Sequence, residues 1–301
     1  MKQFFVKNRK WTGYTIYGIL LTFALLFYRF PSDALRDYVQ ATAHSKTPNL
    51  LVTFQKVSPS FPFGLKFAGA ECRIQGDPEQ TVFKTKELLV RPVIWSLFGR
   101  TPEYSFTCQA YDGTISGSIN IRKNGEETLF NLSTKFDNIH IDANSPVPAF
   151  LKDYTGGVLE GAITYSGSDL YDLNGTGEAS LTLSKGSFKF AKPFLNINVI
   201  DFKEVSVKAA LKEQNLNISN INLKGDDFLG QASGAINLKN SLKKSSISLK
   251  GTIEPTAAFI QNSTKANDAV LLLKQSSKKG KISFTLQGTI EKPDFRFNQL
   301  L

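Results

Sequence analysis

From about Leu50 to the C-terminus, apolar and polar residues alternate, and this pattern constrains the fold of the 301-residue chain more than any other feature. Tyr104, Phe106, Cys108 and Ala110, for example, are separated by Ser, Thr and Gln. Strict alternation is typical of a strand with one buried and one solvated face. Most intervening segments contain Gly, Asn or Asp, which favour turns. The sequence therefore predicts a mainly β fold, an elongated, curved antiparallel sheet with short helical insertions.

An internal repeat refines this expectation. Residues 246–254 and 283–291 are identical at six of nine positions. Each segment has a glycine, Gly251 or Gly288, at a strand position that faces the core. A glycine at such a position marks tight curvature or close backbone approach. Repeated units of this kind predict a sheet that bends around a trough as a quasi-linear stack. Coincidental strand composition is the alternative interpretation.

The N-terminal region follows a different pattern, because residues 11–28 contain no charged side chain. At about 1.5 Å per residue this segment spans roughly 27 Å, close to the ~30 Å hydrocarbon core of a bilayer. Residues 1–30 carry five Lys or Arg and no acid, which is half of the net charge of +10. This bias predicts an uncleaved transmembrane helix with a cytoplasmic N-terminus. A cleaved signal peptide is less favoured because no small residues follow the apolar run. The predicted anchor residues are Trp11, Tyr14, Tyr17, Leu21, Leu25 and Tyr28.

The chain is accordingly divided into a basic cytoplasmic tail (1–10), a transmembrane helix (11–29), a juxtamembrane segment (30–48) and a β-domain beyond the membrane (49–301). A short helix is predicted at 32–44, with Ser32 as its N-cap. Its shared face would consist of Leu35, Tyr38, Val39 and Thr42. Two further helical segments are predicted at 146–154 and 256–266, each after a proline.

Little in the sequence points to catalysis or to a cofactor. His44 and His140 lack partner residues, and His140 is predicted to be exposed on a strand. No zinc-binding spacing and no G-x-S-x-G nucleophile turn occurs. We therefore expect neither an enzyme nor a metal site, and no cofactor. The positive charge outside the N-terminus is spread thinly, so we do not expect a nucleic-acid partner.

The two cysteines allow two interpretations. A disulfide between Cys72 and Cys108 would close a loop of about 37 residues and add about 3–4 kcal/mol of stability in the chain-entropy account. Two buried free thiols are equally compatible with the sequence, because it does not show whether the Cα atoms approach to bridging distance.

Several motifs resemble a known family. The apolar helix followed by RFPSD (29–33), VSPSFPFG (57–64), LLVRP (88–92) and AYDGTISG (110–117) is similar to the type II secretion system protein N (GspN) family. That resemblance implies a single-pass protein of the bacterial inner membrane, whose periplasmic β-domain assists protein secretion. The glycine-containing strands of the C-terminal half resemble AsmA-like proteins, which implies a β-trough whose apolar interior shields acyl chains.

Two functional hypotheses follow. As a secretion-system subunit, the chain would bind and scaffold other secretion-system proteins, and segment 57–64 would be the docking site, with Pro59 and Pro62 preventing regular strand pairing. Core packing of Phe61 and Phe63 is the favoured alternative for those two rings. As an AsmA-like lipid-transfer module, the chain would carry acyl chains between membranes. The candidate docking residues are Pro59, Phe61, Pro62 and Phe63, and the candidate lipid-groove residues are Phe188, Phe190, Phe284 and Leu286. The sequence leaves the oligomeric state open.

Overall fold

A computed structural model describes residues 9–46, 50–74, 80–99, 101–125, 127–142, 156–168, 173–194, 197–239, 244–257, 259 and 281–297. Two α-helices lie at the N-terminus. Helix α1 spans Arg9–Tyr28 and helix α2 spans Ser32–Lys46. A helix over the uncharged N-terminal segment is therefore confirmed. Among the described residues, no helix combines the length and the apolarity expected of a membrane span.

Helix α2 confirms the predicted juxtamembrane helix but presents a different face to the sheet. Its half-buried side chains include Leu35, Val39 and Ala43, whereas Tyr38 and Thr42 are exposed. The predicted face was thus wrong at two positions, because the helix packs against the first two strands and its orientation is set by that contact. Ser32 is the first residue of the helix and not its cap, since the amide of Leu35 already donates to the carbonyl of Pro31 at 3.0 Å.

The rest of the described chain is mainly β. Within the described ranges, fifteen strands form one antiparallel sheet, and from β3 onward each strand pairs with the next along the chain. Strands β1 and β2 lie end to end along the same edge of β3. A 3₁₀ helix, Ile94–Phe98, connects β4 to β5. The strands are β1 Leu50–Thr53, β2 Lys56–Ser60, β3 Gly64–Ile74, β4 Gln80–Pro92, β5 Glu103–Ala110, β6 Gly113–Asn124, β7 Glu127–Ile141, β8 Gly157–Gly167, β9 Gly175–Phe194, β10 Ile197–Lys212, β11 Asn215–Lys224, β12 Phe228–Asn237, β13 Ser246–Pro255, β14 Ile282–Thr289 and β15 Pro293–Phe297.

The mainly β prediction is confirmed, and the pairing register shows how the alternation works. Residues paired across antiparallel strands lie on the same face of a sheet. Following the pairs from strand to strand gives three rows of apolar residues and glycines on one face, interrupted only at Thr134. The central row is Pro59, Leu65, Val90, Phe106, Gly117, Thr134, Ile163, Ala179, Ala209, Ile218, Gly234, Leu249, Leu286 and Phe295.

Two flanking rows run beside the central row. The first is Pro92, Tyr104, Ile119, Leu132, Tyr165, Gly177, Leu211, Leu216, Ile236, Ile247, Gly288 and Pro293. The second is Val57, Phe67, Leu88, Cys108, Ile115, Phe136, Gly161, Leu181, Val207, Ile221, Ala232, Gly251, Phe284 and Phe297. At an interstrand spacing of about 4.8 Å, the thirteen steps from β2 to β15 cover about 60 Å.

The core of the described chain lies on this apolar face. Ala209, Ile218 and Leu249 form a buried cluster, and side chains from neighbouring strands pack around it. Most other residues of the three rows are only half-buried. Closely packed cores bury such side chains fully. Much of the apolar face is therefore accessible along its edges.

The internal repeat has a direct structural meaning. Its two copies lie in β13 and β14, which are antiparallel neighbours. Gly251 of the first copy faces Phe284 of the second, and Gly288 of the second faces Ile247 of the first. A Cβ atom on Gly251 would lie 2.5 Å from the Phe284 ring. Gly251 thus makes room for the Phe284 ring of the opposite copy, so close approach at Gly251 is confirmed, whereas a Cβ atom on Gly288 would meet the backbone of Lys292 instead.

The predicted helical insertions lie mostly outside the described residues. Segment 146–154 falls entirely outside them, as does most of 256–266. Ala257 and Phe259 are helical, and the Phe259 ring lies 4.7 Å from that of Phe228, centroid to centroid.

Candidate functional site: an apolar groove beside helix α1

A groove of about 800 Å³ lies between the C-terminal end of α1 and strands β2–β5. This volume is within the roughly 300–1,000 Å³ range of ligand pockets. Helix α1 and the residues after it form one wall, and the β2–β3 hairpin with strands β4 and β5 forms the other. The lining residues are Thr22, Leu25, Phe27, Arg29, Phe30, Pro31, Pro59, Ser60, Pro62, Phe63, Gly64, Leu65, Val90, Pro92 and Tyr104.

The β2–β3 hairpin brings three of the four predicted docking residues to the groove, namely Pro59, Pro62 and Phe63. Pro59 lies inside β2 and pairs with Leu65, so the expectation that it prevents strand pairing was wrong. A proline lacks the backbone N–H, but β2 is an edge strand whose other side needs no ladder partner. Pro62 lies in the turn, and the Phe61–Pro62 peptide bond is cis.

The two phenylalanines of the turn are not core residues. Phe61 is 79% exposed and Phe63 is about half exposed. The core-packing interpretation of these rings was therefore wrong. Both rings belong to the turn of the β2–β3 hairpin, between the last paired residues Ser60 and Gly64, and turn residues are commonly exposed.

The groove is continuous with the apolar face of the sheet. Pro59, Leu65 and Val90 are the first three members of the central row, and all three line the groove. Pro92 and Tyr104, which begin the first flanking row, line it as well. An apolar ligand seated in the groove would therefore contact the start of two apolar rows that extend across the sheet.

The electrostatics of the groove are simple. Arg29 is the single charged residue among the described lining residues, and it is exposed where α1 ends. An arginine guanidinium binds phosphate or carboxylate through paired hydrogen bonds. The groove thus combines apolar walls with one cationic group, an arrangement that suits an amphipathic molecule with an anionic head.

The predicted lipid-groove residues are not brought together. Phe284 lies in the second flanking row and Leu286 in the central row, both on β14. Phe188 and Phe190 are on β9, with four strands between β9 and β14, a separation of about 24 Å. The side chains of Phe188 and Phe190 lie outside the described part. The strand positions of the two pairs are therefore far apart along the sheet.

Cys72 and Cys108 are both free thiols. Strand β4 lies between β3, which carries Cys72, and β5, which carries Cys108. Two interstrand spacings of about 4.8 Å exceed the ~7 Å between Cα atoms that a disulfide can bridge. Of the two interpretations that the sequence allows, the structure therefore has the unbridged one.

These thiols are poor nucleophiles. Burial raises the pKa of both Cys72 and Cys108, and it also raises the pKa of the nearby Tyr111 hydroxyl. The Cys108 sulfur lies 3.1 Å from the Thr85 hydroxyl oxygen, and the hydrogen bond between the two groups partly offsets the effect of burial on the Cys108 pKa. Because the thiolate is the reactive form, a raised pKa leaves less of it near neutral pH. Their surroundings are those of structural cysteines.

The described residues contain no group of three or more His, Cys, Asp or Glu side chains that could hold a metal ion. His140 is exposed on β7, as predicted, and its Nδ1 lies 3.1 Å from the carbonyl oxygen of Asn138.

Comparison with known proteins finds no match, whether among protein-family models, curated proteins or solved structures. The resemblance to GspN and AsmA-like proteins thus stays a prediction that rests on the motifs alone.

Sequence reasoning missed most of the groove. Leu65, Val90, Pro92 and Tyr104 were not singled out as site residues, although Val90 and Pro92 lie in one of the motifs. The alternation of apolar and polar residues shows which face of its strand each of these residues occupies. It does not show that Leu65 pairs with Val90, which depends on the register between β3 and β4. The contribution of α1 to the groove could not be read from periodicity at all.

Proposed function

We propose that this protein is a non-catalytic, membrane-anchored β-sheet module that binds the acyl chain of a lipid. The observation that supports this most is the apolar groove beside α1, which opens onto the apolar rows of the sheet. An acyl chain is long, thin and apolar, so it could lie in the groove and continue along the half-buried face. Burial of apolar surface would favour binding by about 25 cal/mol per Å².

In this proposal α1 is the anchor, placed in the bacterial inner membrane with the sheet on the periplasmic side. Several large apolar side chains of α1 are exposed, including those of the six predicted anchor residues. The hydroxyls of Thr15 and Thr22 donate to backbone carbonyls four residues earlier, at 2.9 and 2.8 Å. Such internal hydrogen bonds are what polar groups require in a hydrocarbon environment. The groove would then lie at the bilayer surface, where lipid is available.

The finer shape proposed for the sheet is a curved trough that shields the chain from water. The half-burial of the apolar rows supports this, because a flat face would leave the same side chains more exposed. Glycines within the rows make space for neighbouring rings, as Gly251 does for Phe284. A path of about 60 Å from β2 to β15 could lead a chain away from the membrane.

A role as an accessory subunit of the type II secretion system is the second candidate. The exposure of Phe61 at the hairpin tip favours it, since an exposed aromatic ring is a common contact for a partner protein. In that case the chain would act by contact, and the apolar face would be a scaffold and not a lipid site.

Two measurements on the full chain separate these candidates. We expect native mass spectrometry of the detergent-purified protein to detect bound phospholipid that persists through detergent exchange. We also expect a strain lacking the protein to secrete its exoproteins normally. A lipid-free protein together with exoproteins retained in the periplasm would contradict the lipid proposal and support the secretion role.

A further inference from the structure

The 3₁₀ helix Ile94–Phe98 presents an unusual surface. Four of its five side chains are large and apolar, and all four are exposed, including Trp95 at 86% and Phe98 at 84%. In the sequence, no charged residue lies between Arg91 and Arg100, which flank the segment. An isolated exposed aromatic residue is ordinary, but a cluster of this kind marks an interaction surface.

Hydrogen bonds hold the segment in place. The Ser96 hydroxyl donates to the carbonyl of Val93 at 2.6 Å and accepts the amide of Glu103 at 2.8 Å. The Val93 amide donates to the carbonyl of Glu103 at 2.9 Å, and the Gly99 amide donates to that of Ser96 at 3.0 Å. These bonds tie the segment to the start of β5, so the exposed rings are presented from a fixed backbone.

The segment lies near the C-terminal end of α1. It joins the end of β4 to the start of β5, and the flanking pair Pro92 and Tyr104 lines the groove. Phe27 and Arg29, at the end of α1, line the same groove. The aromatic cluster therefore lies at the end of the sheet where α1 stops.

We propose that the segment Ile94–Phe98 is a second membrane contact, with Trp95 and Phe98 inserted into the interfacial region of the bilayer that holds α1. Tryptophan and other aromatic rings favour this region, where one part of the ring is apolar and the surroundings are partly hydrated. Arg91, which is exposed near the end of β4, adds positive charge beside the segment, and this suits lipid phosphates. A bilayer is favoured over a protein partner because the segment lies at the end of the sheet where the proposed anchor stops.

This inference rests on the proposed function only in placing α1 in the membrane. It adds that the sheet is fixed at two points, and two contacts would hold the mouth of the groove against the lipid headgroups. A single helix followed by a flexible connection would leave the sheet free to rotate away.

The chain contains only two tryptophans, Trp11 and Trp95, so their fluorescence can be separated. In the full chain carrying Trp11→Phe, Trp95 is the sole tryptophan. The variant is reconstituted into vesicles of equal parts phosphatidylcholine and phosphatidylglycerol, with or without bromine on acyl carbons near the headgroup. We expect Trp95 emission to lie at shorter wavelength than in water and to be quenched by the brominated lipid.

The reciprocal variant Trp95→Phe reports on Trp11 and serves as the matched control, with circular dichroism checking that both variants fold. Quenching of Trp11 without quenching of Trp95 would overturn the second contact and leave the anchor intact. If neither is quenched, the anchor fails as well. Trp95 emission that shifts with protein concentration but is not quenched would assign the surface to a second copy of the chain, which also overturns the inference.

Discussion

The substitution Val90→Asp is expected to weaken binding of an acyl-chain ligand to the full chain by about tenfold or more. Val90 lines the groove and belongs to the central row, between Leu65 and Phe106. A carboxylate there would have to lose water when an acyl chain enters the groove, and removing a charge from water is costly. The measurement is displacement of a fluorescent fatty acid from the detergent-solubilised protein.

Leu89→Asp is the matched control for this variant. Leu89 is the adjacent residue of β4, is also half-buried, and points to the opposite face of the sheet. The Leu89→Asp variant should bind the fatty acid with the same affinity as the unsubstituted chain. If Val90→Asp fails to fold by circular dichroism, Val90→Trp fills the same space without a charge. Unchanged fatty-acid binding in a folded Val90 variant would contradict the groove as the binding site.

The substitution Gly251→Ala is expected to destabilise the sheet by about 1–3 kcal/mol, the usual cost of overpacking. A Cβ atom at this position would lie 2.5 Å from the backbone oxygen of Gln231 and 2.5 Å from the ring of Phe284. The ring could turn, but the backbone oxygen belongs to the β12–β13 ladder and cannot move freely. The expected result is a lower midpoint in urea unfolding followed by circular dichroism.

Gly230→Ala provides the comparison, since Gly230 lies on the same face and in the neighbouring strand β12. Its added Cβ would meet the Leu223 side chain at 3.2 Å, a contact that a small shift can relieve. Replacing glycine with alanine also restricts the unfolded chain, which offsets part of the cost. Gly230→Ala should therefore change the midpoint little. An equal loss for both variants would show that the space around Gly251 has no special role.

How far the sequence predicts this fold depends on which property is considered. The alternation identified well which strand residues are buried, as at Cys108 and Ala110 on β5. Successive side chains of a strand point to opposite faces of the sheet, so every second residue faces the core. Since successive strands pair with each other, short turns also favour the observed meander. The role of Gly251 could be anticipated, because a glycine at a core-facing strand position indicates that a neighbouring group needs the space. In the structure that group is the ring of its cross-strand partner Phe284.

Other features depend on contacts between distant segments. The orientation of α2 was predicted wrongly at Tyr38 and Thr42, because both exposed and buried faces of that short helix contain mixed residues. Pro59 was expected to interrupt pairing, yet it is accommodated because β2 is an edge strand. Whether a strand is at an edge is a property of the whole sheet and is not visible in its own residues.

The candidate site was the least predictable part. Three of the four predicted docking residues line the groove, but the groove also needs α1, β4 and β5, which converge only in three dimensions. The exposed segment Ile94–Phe98 carried a signal that went unused: a run without charge or alternation between two clearly alternating strands.

The claim that this apolar surface holds an acyl chain can be tested most directly by site-specific photocrosslinking in cells. The photoreactive residue p-benzoyl-phenylalanine is placed at Phe63 in the groove, at Phe295 where the central row ends, or at Thr107 on the polar face of β5. After irradiation, we expect mass spectrometry to find lipid adducts at Phe63 and Phe295 and none at Thr107. Absence of a lipid adduct at Phe63, or equal adducts at Thr107, would contradict the account.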